Sequence, residues 1–249
     1  RDRSVSRGLG DVYKRQSVSC GIFPQEHDHR RCRRCGGAFL QPPYGAGATV
    51  IPYRESPFSG RLTAVRGRDM VIRLYSAGLE GVDAFPVDVE VELVRQGLPG
   101  FTLVGLAETA VREARERVFS ALRACGFRLP PSRITVNLAP AGRRKSGTAF
   151  DLPLALGLLA AGGQIPVEAL QGRAFAGELS LSGALRPVPG MLPLAIMARQ
   201  QGLSSVILPP DNGAEAAVVR DVAVYTPAHL SQCVAFLLCL LYTSDAADD

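Results

Sequence analysis

The chain has 249 residues, of which 47% are hydrophobic and 20% charged, a balance typical of a globular protein and not of a disordered one. Its longest apolar stretch, Leu152 to Ala161, is far shorter than the roughly 20 residues that cross a bilayer, and six cysteines are too few for a disulfide framework, so membrane-spanning and disulfide-scaffold classes are excluded. The net charge of +5 is uneven, because residues 1–69 hold 13 Lys and Arg against 6 Asp and Glu while the rest is close to neutral.

The two ends of the chain are predicted to be translated sequencing-adaptor sequence. Asp11 to Gln16, DVYKRQ, can be encoded by a DNA string whose reverse complement, read in a shifted frame, encodes Cys239 to Thr243, CLLYT. One DNA tag read from opposite strands therefore accounts for both ends. We expect residues 1–16 and 239–249 to lie outside the natural fold.

Residues 17–69 show no sustained helix or strand period. We interpret them as in-frame translation of DNA upstream of a start at Met70 and expect them to be disordered. The alternative is a zinc site, since a Cys-x-x-Cys pair stands beside two histidines. Its ligands would be His27, His29, Cys32 and Cys35. These four fall within nine residues, whereas zinc fingers separate their ligand pairs by about a dozen, which favours the first interpretation.

From Val71 onward the pattern becomes regular. Val71 to Ala77 and Phe85 to Val94 are predicted strands, and the second alternates valine with acidic residues, as a strand covered on one face does. Phe101 to Val104 is a short third strand. An apolar stripe at helical spacing predicts a helix over Glu108 to Cys125, with Gly126 ending it.

The charged face of this helix is interpreted as solvated. Glu108 and Arg112, and likewise Glu113 and Arg117, are four residues apart with the acid first, the favourable order for an exposed ion pair. A catalytic glutamate or an arginine finger is the alternative.

A second group of elements follows. Asp151 is predicted to cap an apolar, buried helix over Leu152 to Ala161. The remaining elements are a strand at Ile134 to Leu138, a hairpin of Phe175 to Leu181 with Ala184 to Val188, a helix at Leu192 to Gln201, strands at Ser205 to Leu208 and Val222 to Tyr225, and a helix from Ala228 to Leu238. Together they predict an α/β fold, a sandwich of a mixed sheet and packed helices over residues 70–238.

Residues 70–236 resemble the N-terminal domain of the YifB/ComM family of magnesium-chelatase-like AAA+ ATPases. The matching segments are YSAGLEGVDAFPVDVEVEL, GLPGFTLVGL, AVREARERV, RITVNLAP, FDLPLALGLLAA and AGELSLSGALRPVPG. The resemblance implies a Lon-protease-like fold that precedes an ATPase module. It also implies a cytoplasmic parent protein that works as a homo-hexamer on DNA, in ATP-driven branch migration during natural transformation.

The nucleotide site belongs to that downstream module, which would bind ATP and Mg²⁺. A Walker A loop needs Gly-x-x-x-x-Gly-Lys-Ser/Thr, and Gly142-Arg-Arg-Lys-Ser lacks this spacing. We therefore expect no cofactor and no metal in this fragment, which can be monomeric by itself.

Three functions remain open: a non-catalytic accessory domain, an active Ser–Lys peptidase, and a magnesium-chelatase-like subunit, the last suggested by the family name alone. The resemblance to Lon places Ala149 where the nucleophilic serine would lie and Pro193 where the lysine would lie, with Ser146 ahead of the glycine. A peptidase needs a nucleophile with a base in reach, so the resemblance predicts a non-catalytic domain.

One candidate binding segment precedes the buried helix. Arg143, Arg144 and Lys145 are the three consecutive cations of a nearly neutral domain. Cations at a helix N-terminus oppose the helix dipole, which indicates an anionic partner such as DNA phosphate or an acidic neighbouring subunit. A solvated loop explains them equally well.

Overall fold

The computed structural model describes residues 71–244, and side-chain packing as far as Cys239. The zinc hypothesis and the assignments made for residues 1–70 and 245–249 lie outside this part of the chain, and those predictions stay untested.

Most strands join one mixed sheet. The strands are β1 (Val71–Glu80), β2 (Asp83–Val94), β3 (Gly100–Val104), β4 (Arg133–Ala139), β5 (Arg173–Phe175), β6 (Glu178–Leu179), β7 (Leu185–Arg186), β8 (Ser205–Ile207) and β9 (Ala223–Tyr225). Seven of them form a sheet in the order β3-β4-β2-β1-β5-β8-β9, while β6 and β7 form a separate ribbon. In the sheet β2 is antiparallel to both neighbours, and all other pairs are parallel. The two edge strands, β3 and β9, therefore run in the same direction. The predicted α/β class is confirmed.

The helices lie on both faces of this sheet. They are α1 (Thr109–Ala124), α2 (Asp151–Ala161), α3 (Met191–Gln200), α4 (Gly213–Ala216) and α5 (Leu230–Ser244), with single 3₁₀ turns at Val167–Leu170 and Pro210–Asn212. α5 extends past the predicted end at Leu238, into residues that were attributed to the adaptor, and Cys239 there is half-buried. None of the helices in the described range is long and apolar enough to cross a membrane.

α2 forms the centre of the first core. Ten of its eleven residues are buried, which confirms the helix predicted from its apolar composition. Gly157 allows it to lie close to the sheet, since a β-carbon there would stand 2.7 Å from Cγ2 of Val91 and 3.0 Å from Cδ1 of Leu74. α1 packs on α2 through its predicted apolar stripe, with Val111, Val118 and other stripe residues buried.

A second core lies on the opposite face, because alternate residues of a strand point to opposite sides. Ala77 of β1 and Val206 of β8 pack there with Met191 and Leu194 of α3. Ala149, in the loop before α2, packs against the same cluster. The loop of residues 140–150 therefore packs against the second core through Ala149.

The predicted long hairpin differs from the observed structure. Phe175 ends β5, which joins the main sheet beside β1, and only β6 and β7 form the hairpin. The break is at Gly177, whose φ of 158° a residue with a side chain rarely adopts. The turn at Ser182–Gly183 is found as predicted, with Gly183 at a φ of 94°.

Candidate functional site

The two segments that resemble the Lon catalytic region meet in one small pocket. It has a volume of about 30 Å³ and is lined by Ser146 to Ala149 on one side, and by Pro189 to Met191 on the other. A space of this size holds little more than a water molecule. The folded chain thus brings the predicted segments together without leaving room for a peptide.

The groups that line this pocket do not form a nucleophile–base pair. Ala149 contributes a methyl group, and Pro193 is not among the lining residues. Ser146 and Thr148 supply hydroxyls, yet Lys145 does not line the pocket either. Its Nζ donates a hydrogen bond to the carbonyl oxygen of Pro140. A serine hydroxyl without a base in reach is a weak nucleophile.

Lys145 is the least expected feature of the loop. Its side chain is fully buried, and desolvation lowers the pKa of its ammonium. Backbone bonds fix its position, since its N–H donates to the oxygen of Leu106 at 3.3 Å and its oxygen accepts from the N–H of Glu108 at 3.0 Å. The lysine therefore holds the loop against the start of α1.

The two arginines of the same loop point elsewhere. Arg143 pairs with the carboxylate of Glu80, and its guanidinium lies 4.0 Å from the ring centre of Phe85. The side chain of Arg144 is 80% exposed and stands 3.8 Å from Glu108. The three consecutive cations thus do not form one patch, because only Arg143 and Arg144 reach the surface.

An open cleft of about 490 Å³ adjoins this loop at the first turn of α1. Leu106, Glu108, Arg112 and Arg144 line it. Nε of Arg112 donates to the oxygen of Ala107 at 3.2 Å, whereas the sequence paired this arginine with Glu108. The cleft was not predicted, and no local pattern indicates it, because β3, α1 and the loop are brought together only by the fold.

A buried ion pair lies behind the pocket. The side chain of Asp151 is 0% exposed, and it accepts hydrogen bonds from Nε and Nη2 of Arg117 at 2.7 and 3.0 Å. It also accepts one from the N–H of Leu179 at 3.2 Å. Burial raises the pKa of Asp151, and the guanidinium, which lowers it, offsets part of that effect.

This pair corrects two predictions. Asp151 makes no capping hydrogen bond and is the first residue of α2, with Phe150 preceding it as the N-cap. Arg117 bonds to Asp151 and to the oxygen of Ala110, so it does not belong to a solvated face with Glu113. Both differences have one cause: a fully buried carboxylate needs a cation, and Arg117 is the one that α1 presents to it.

In the part of the chain that the structure describes, this loop does not fit a nucleotide and no side-chain cluster fits a metal ion. A phosphate-binding loop needs free backbone N–H groups and a lysine directed into the loop. Here the N–H and the ammonium of Lys145 are both used within the fold. Within the described residues, no three His, Cys, Asp or Glu side chains lie close enough together to hold a metal.

Part of this chain is similar in sequence to known proteins. The family model "Subunit ChlI of Mg-chelatase" matches residues 89–212. The competence protein ComM of Haemophilus influenzae is 46% identical over 164 residues, which cover 66% of this chain and 32% of that protein. The protein YifB of Escherichia coli is 44% identical over 157 residues, 63% of this chain and 31% of its own length. The chain belongs to the magnesium-chelatase-like YifB/ComM family.

A more distant relative of this YifB/ComM chain supports the fold. Lon protease 2 of Bacillus subtilis is 30% identical over 107 residues, which cover 43% of this chain and 18% of the protease. The similarity is consistent with the mixed sheet and helices described above. The chain spans about a third of the length of the ComM and YifB relatives that it matches.

Proposed function

We propose that this chain is a non-catalytic accessory domain of a larger ATPase of the ComM type. The parent protein would be a cytoplasmic homo-hexamer that uses ATP and Mg²⁺, bound by a module outside this chain, to drive DNA branch migration during natural transformation. The domain itself contributes no chemistry and helps the motor assemble or engage DNA.

One observation supports the non-catalytic part most directly. The segments that resemble the Lon catalytic region do meet, but they enclose about 30 Å³ and present a methyl group where a nucleophile would stand. Because this pocket holds no nucleophile–base pair, we assign the domain to binding or assembly. The 46% identity to a protein named for competence supports the DNA-handling part.

The experiment is a comparison of the parent protein with a version that lacks residues 71–238. The intact parent should hydrolyse ATP and move a synthetic four-way DNA junction, and the shortened version should keep ATP hydrolysis but lose junction movement. A parent without ATP-dependent junction movement would contradict the proposal, as would a shortened version that moves junctions normally.

The alternative peptidase function is tested on the chain itself. We expect no turnover of unfolded casein and no labelling by a serine-reactive fluorophosphonate, because Ser146 has no base in reach. Ser146→Ala is the control: labelling that disappears in this variant would establish a serine nucleophile and restore the peptidase function.

We further propose that Arg143 and Arg144 contact DNA phosphate in the parent. Arg144 is the more accessible of the two, and its ion partner Glu108 stands at a long 3.8 Å. An exposed pair at this distance contributes little, so a phosphate can replace the carboxylate. Lys145 supports this surface from within the fold.

A salt titration separates these roles. In Arg144→Ala the log of the DNA-binding constant should fall less steeply with the log of the salt concentration. The slope should be smaller in magnitude by about one, since one phosphate contact is lost. Arg199→Ala, an exposed arginine on α3, is the matched control and should leave the slope unchanged. Lys145→Met should lower the melting temperature. An unchanged slope in Arg144→Ala would remove the loop from the DNA-binding surface.

A further inference from the structure

The hairpin of β1 and β2 projects beyond the rest of the sheet. β4 pairs with β2 no further than Asp88, and β5 pairs with β1 at Tyr75. Residues 78–85, which include the turn, pair with one another and with no other strand of the described chain. We call these residues the β1–β2 tip. Because the sheet does not hold the tip, its side chains have to fix it to the rest of the domain.

Arg143 contacts both strands of the tip. It pairs with the carboxylate of Glu80, and its guanidinium lies 4.0 Å from the ring centre of Phe85. That ring lies against Gly78 of the facing strand, where a β-carbon would stand 2.3 Å from Cζ of Phe85. The ion pair is open to solvent, since the two charged side chains are 47% and 67% exposed. Another anion can therefore compete with Glu80 for the guanidinium.

Leu79 lies on the opposite face of the tip and closes the small pocket described above. Its side chain lines the pocket together with the segments Ser146 to Ala149 and Pro189 to Met191. A β-carbon at Gly190 would stand 2.5 Å from both Cδ atoms of Leu79, so the leucine lies directly on the turn before α3. Moving the tip away would take Leu79 with it and uncover both segments.

A buried hydroxyl next to the tip destabilises the closed arrangement. Ser76 is 0% exposed, and its Oγ makes no hydrogen bond within the described part of the chain. It stands two residues before Gly78, on the same face of β1. A buried hydroxyl without a partner costs free energy, which is regained when water reaches the group. The closed tip is therefore held by a solvent-exposed ion pair and opposed by an unpaired group.

We propose that the β1–β2 tip is a lid that Arg143 holds shut over the pocket, and that a phosphate group bound by Arg143 releases it. The phosphate replaces the carboxylate of Glu80 on the guanidinium, the tip opens, and the pocket becomes accessible. The release rests on the proposed contact of Arg143 with DNA phosphate, whereas the closed lid rests on the contacts of the tip itself.

Hydrogen exchange of the whole chain, followed by mass spectrometry on peptides that contain residues 78–85, tests the lid without a ligand. The tip should open locally, so its amides should exchange at a rate independent of low urea concentrations, unlike the amides of α2. Glu80→Gln should speed exchange of the tip about two- to fivefold, because the ion pair is lost. Ser76→Ala should slow it at least about threefold, because the unpaired hydroxyl is removed.

Asp83→Asn is the matched control, since it removes an exposed carboxylate from the same turn and leaves the ion pair of Arg143 intact. It should not exchange faster than wild type. Tip amides that exchange only together with those of α2, a Glu80→Gln variant that exchanges like wild type, or a Ser76→Ala variant that exchanges faster would each overturn the lid.

A short DNA duplex and inorganic polyphosphate, compared at equal ionic strength, test the release. Either phosphate source should speed exchange of the tip in the wild-type chain and have no effect in Arg143→Ala, whose tip is already released. Fluorescence anisotropy of labelled DNA reports binding in the same buffer. DNA that binds without faster exchange of the tip would overturn the release and leave the proposed DNA contact standing, and so would a tip that neither probe releases. Release by polyphosphate in a chain that does not bind DNA would support the lid and contradict the DNA contact.

Discussion

Replacing Arg117 by methionine removes the guanidinium that neutralises Asp151 and keeps a side chain of similar length between α1 and α2. Two of the three hydrogen bonds to the buried carboxylate disappear, and only the N–H of Leu179 remains. Breaking a buried ion pair by removing one partner costs about 3–5 kcal/mol. Since the side chain of Arg117 is 20% exposed, water can partly replace it, and we expect a loss near the lower end, about 3 kcal/mol.

The expected loss of unfolding free energy can be measured as a fall in the melting temperature. In a domain of this size 1 kcal/mol corresponds to about 2–4 °C, so Arg117→Met should melt about 6–12 °C below wild type by circular dichroism. Arg123→Met, an exposed arginine on the same helix, should stay within about 0.5 kcal/mol. Adding Asp151→Leu to Arg117→Met should recover part of the loss, because no unpaired charge is then buried.

The stability lost in Arg117→Met should also depend on pH, in a direction that follows from the pKa of Asp151. Burial already raises the pKa of Asp151 above its ordinary value of 3.8, and without Arg117 it rises further. Between 3.8 and the raised value the folded variant binds a proton that the unfolded chain does not, so its stability increases as the pH falls through that interval. The melting difference from wild type should therefore shrink between about pH 8 and about pH 5. A difference under about 2 °C, or one that is the same at all pH values, would refute a buried charge as the cause.

Three further predictions concern other parts of the fold. Gly183→Ala should lower the free energy of unfolding by about 1–3 kcal/mol, because φ there is 94° and the new β-carbon would stand 2.5 Å from Sγ of Cys125, whereas Gly142→Ala, with nothing within 4 Å, should be neutral in the same denaturant titration. Burial raises the pKa of the Cys233 thiol to about 12, so mass spectrometry should find Cys125, which is half-buried, alkylated in the native protein and Cys233 only in denaturant. A chain of residues 70–238 should melt within a few degrees of the full chain, and a larger drop would show that the last turn of α5 or the upstream residues stabilise the fold.

The elements that the sequence predicts well are those with a local signal. The apolar stripe of α1, the stop at Gly126 and the alternation of β2 each arise within a few residues, and all three are found. Phe175 shows the opposite case. Its strand was assigned to a neighbouring hairpin, but it pairs with β8, about 30 residues later in the chain, and sequence pattern does not indicate such a parallel pairing.

The charged residues were harder to predict for a related reason. The rules for helix capping and for i,i+4 ion pairs consider only neighbours along the chain, so they predicted Asp151 as a helix cap and Arg117 as part of a solvated pair. The partner that each side chain adopts is 34 residues away and becomes available only when α1 packs on α2. Lys145 is a similar case, because a run of three cations predicts solvent exposure and gives no sign that one of them folds inward.

The loop of residues 140–150 is fixed in the fold by backbone hydrogen bonds and by packing. The oxygen of Ala149 accepts from the N–H of Gly177 at 3.0 Å, and the oxygen of Gly177 accepts from the N–H of Leu152 at 3.0 Å. These bonds attach the loop to the start of α2, while the methyl of Ala149 packs into the α3 cluster. The position that a nucleophile would occupy is therefore stabilised by packing, and a hydroxyl placed there would face apolar neighbours without a base. Within the described residues, the outer side of the same loop carries the two exposed arginines, Arg143 and Arg144, so a polar contact made by this loop has to use that side.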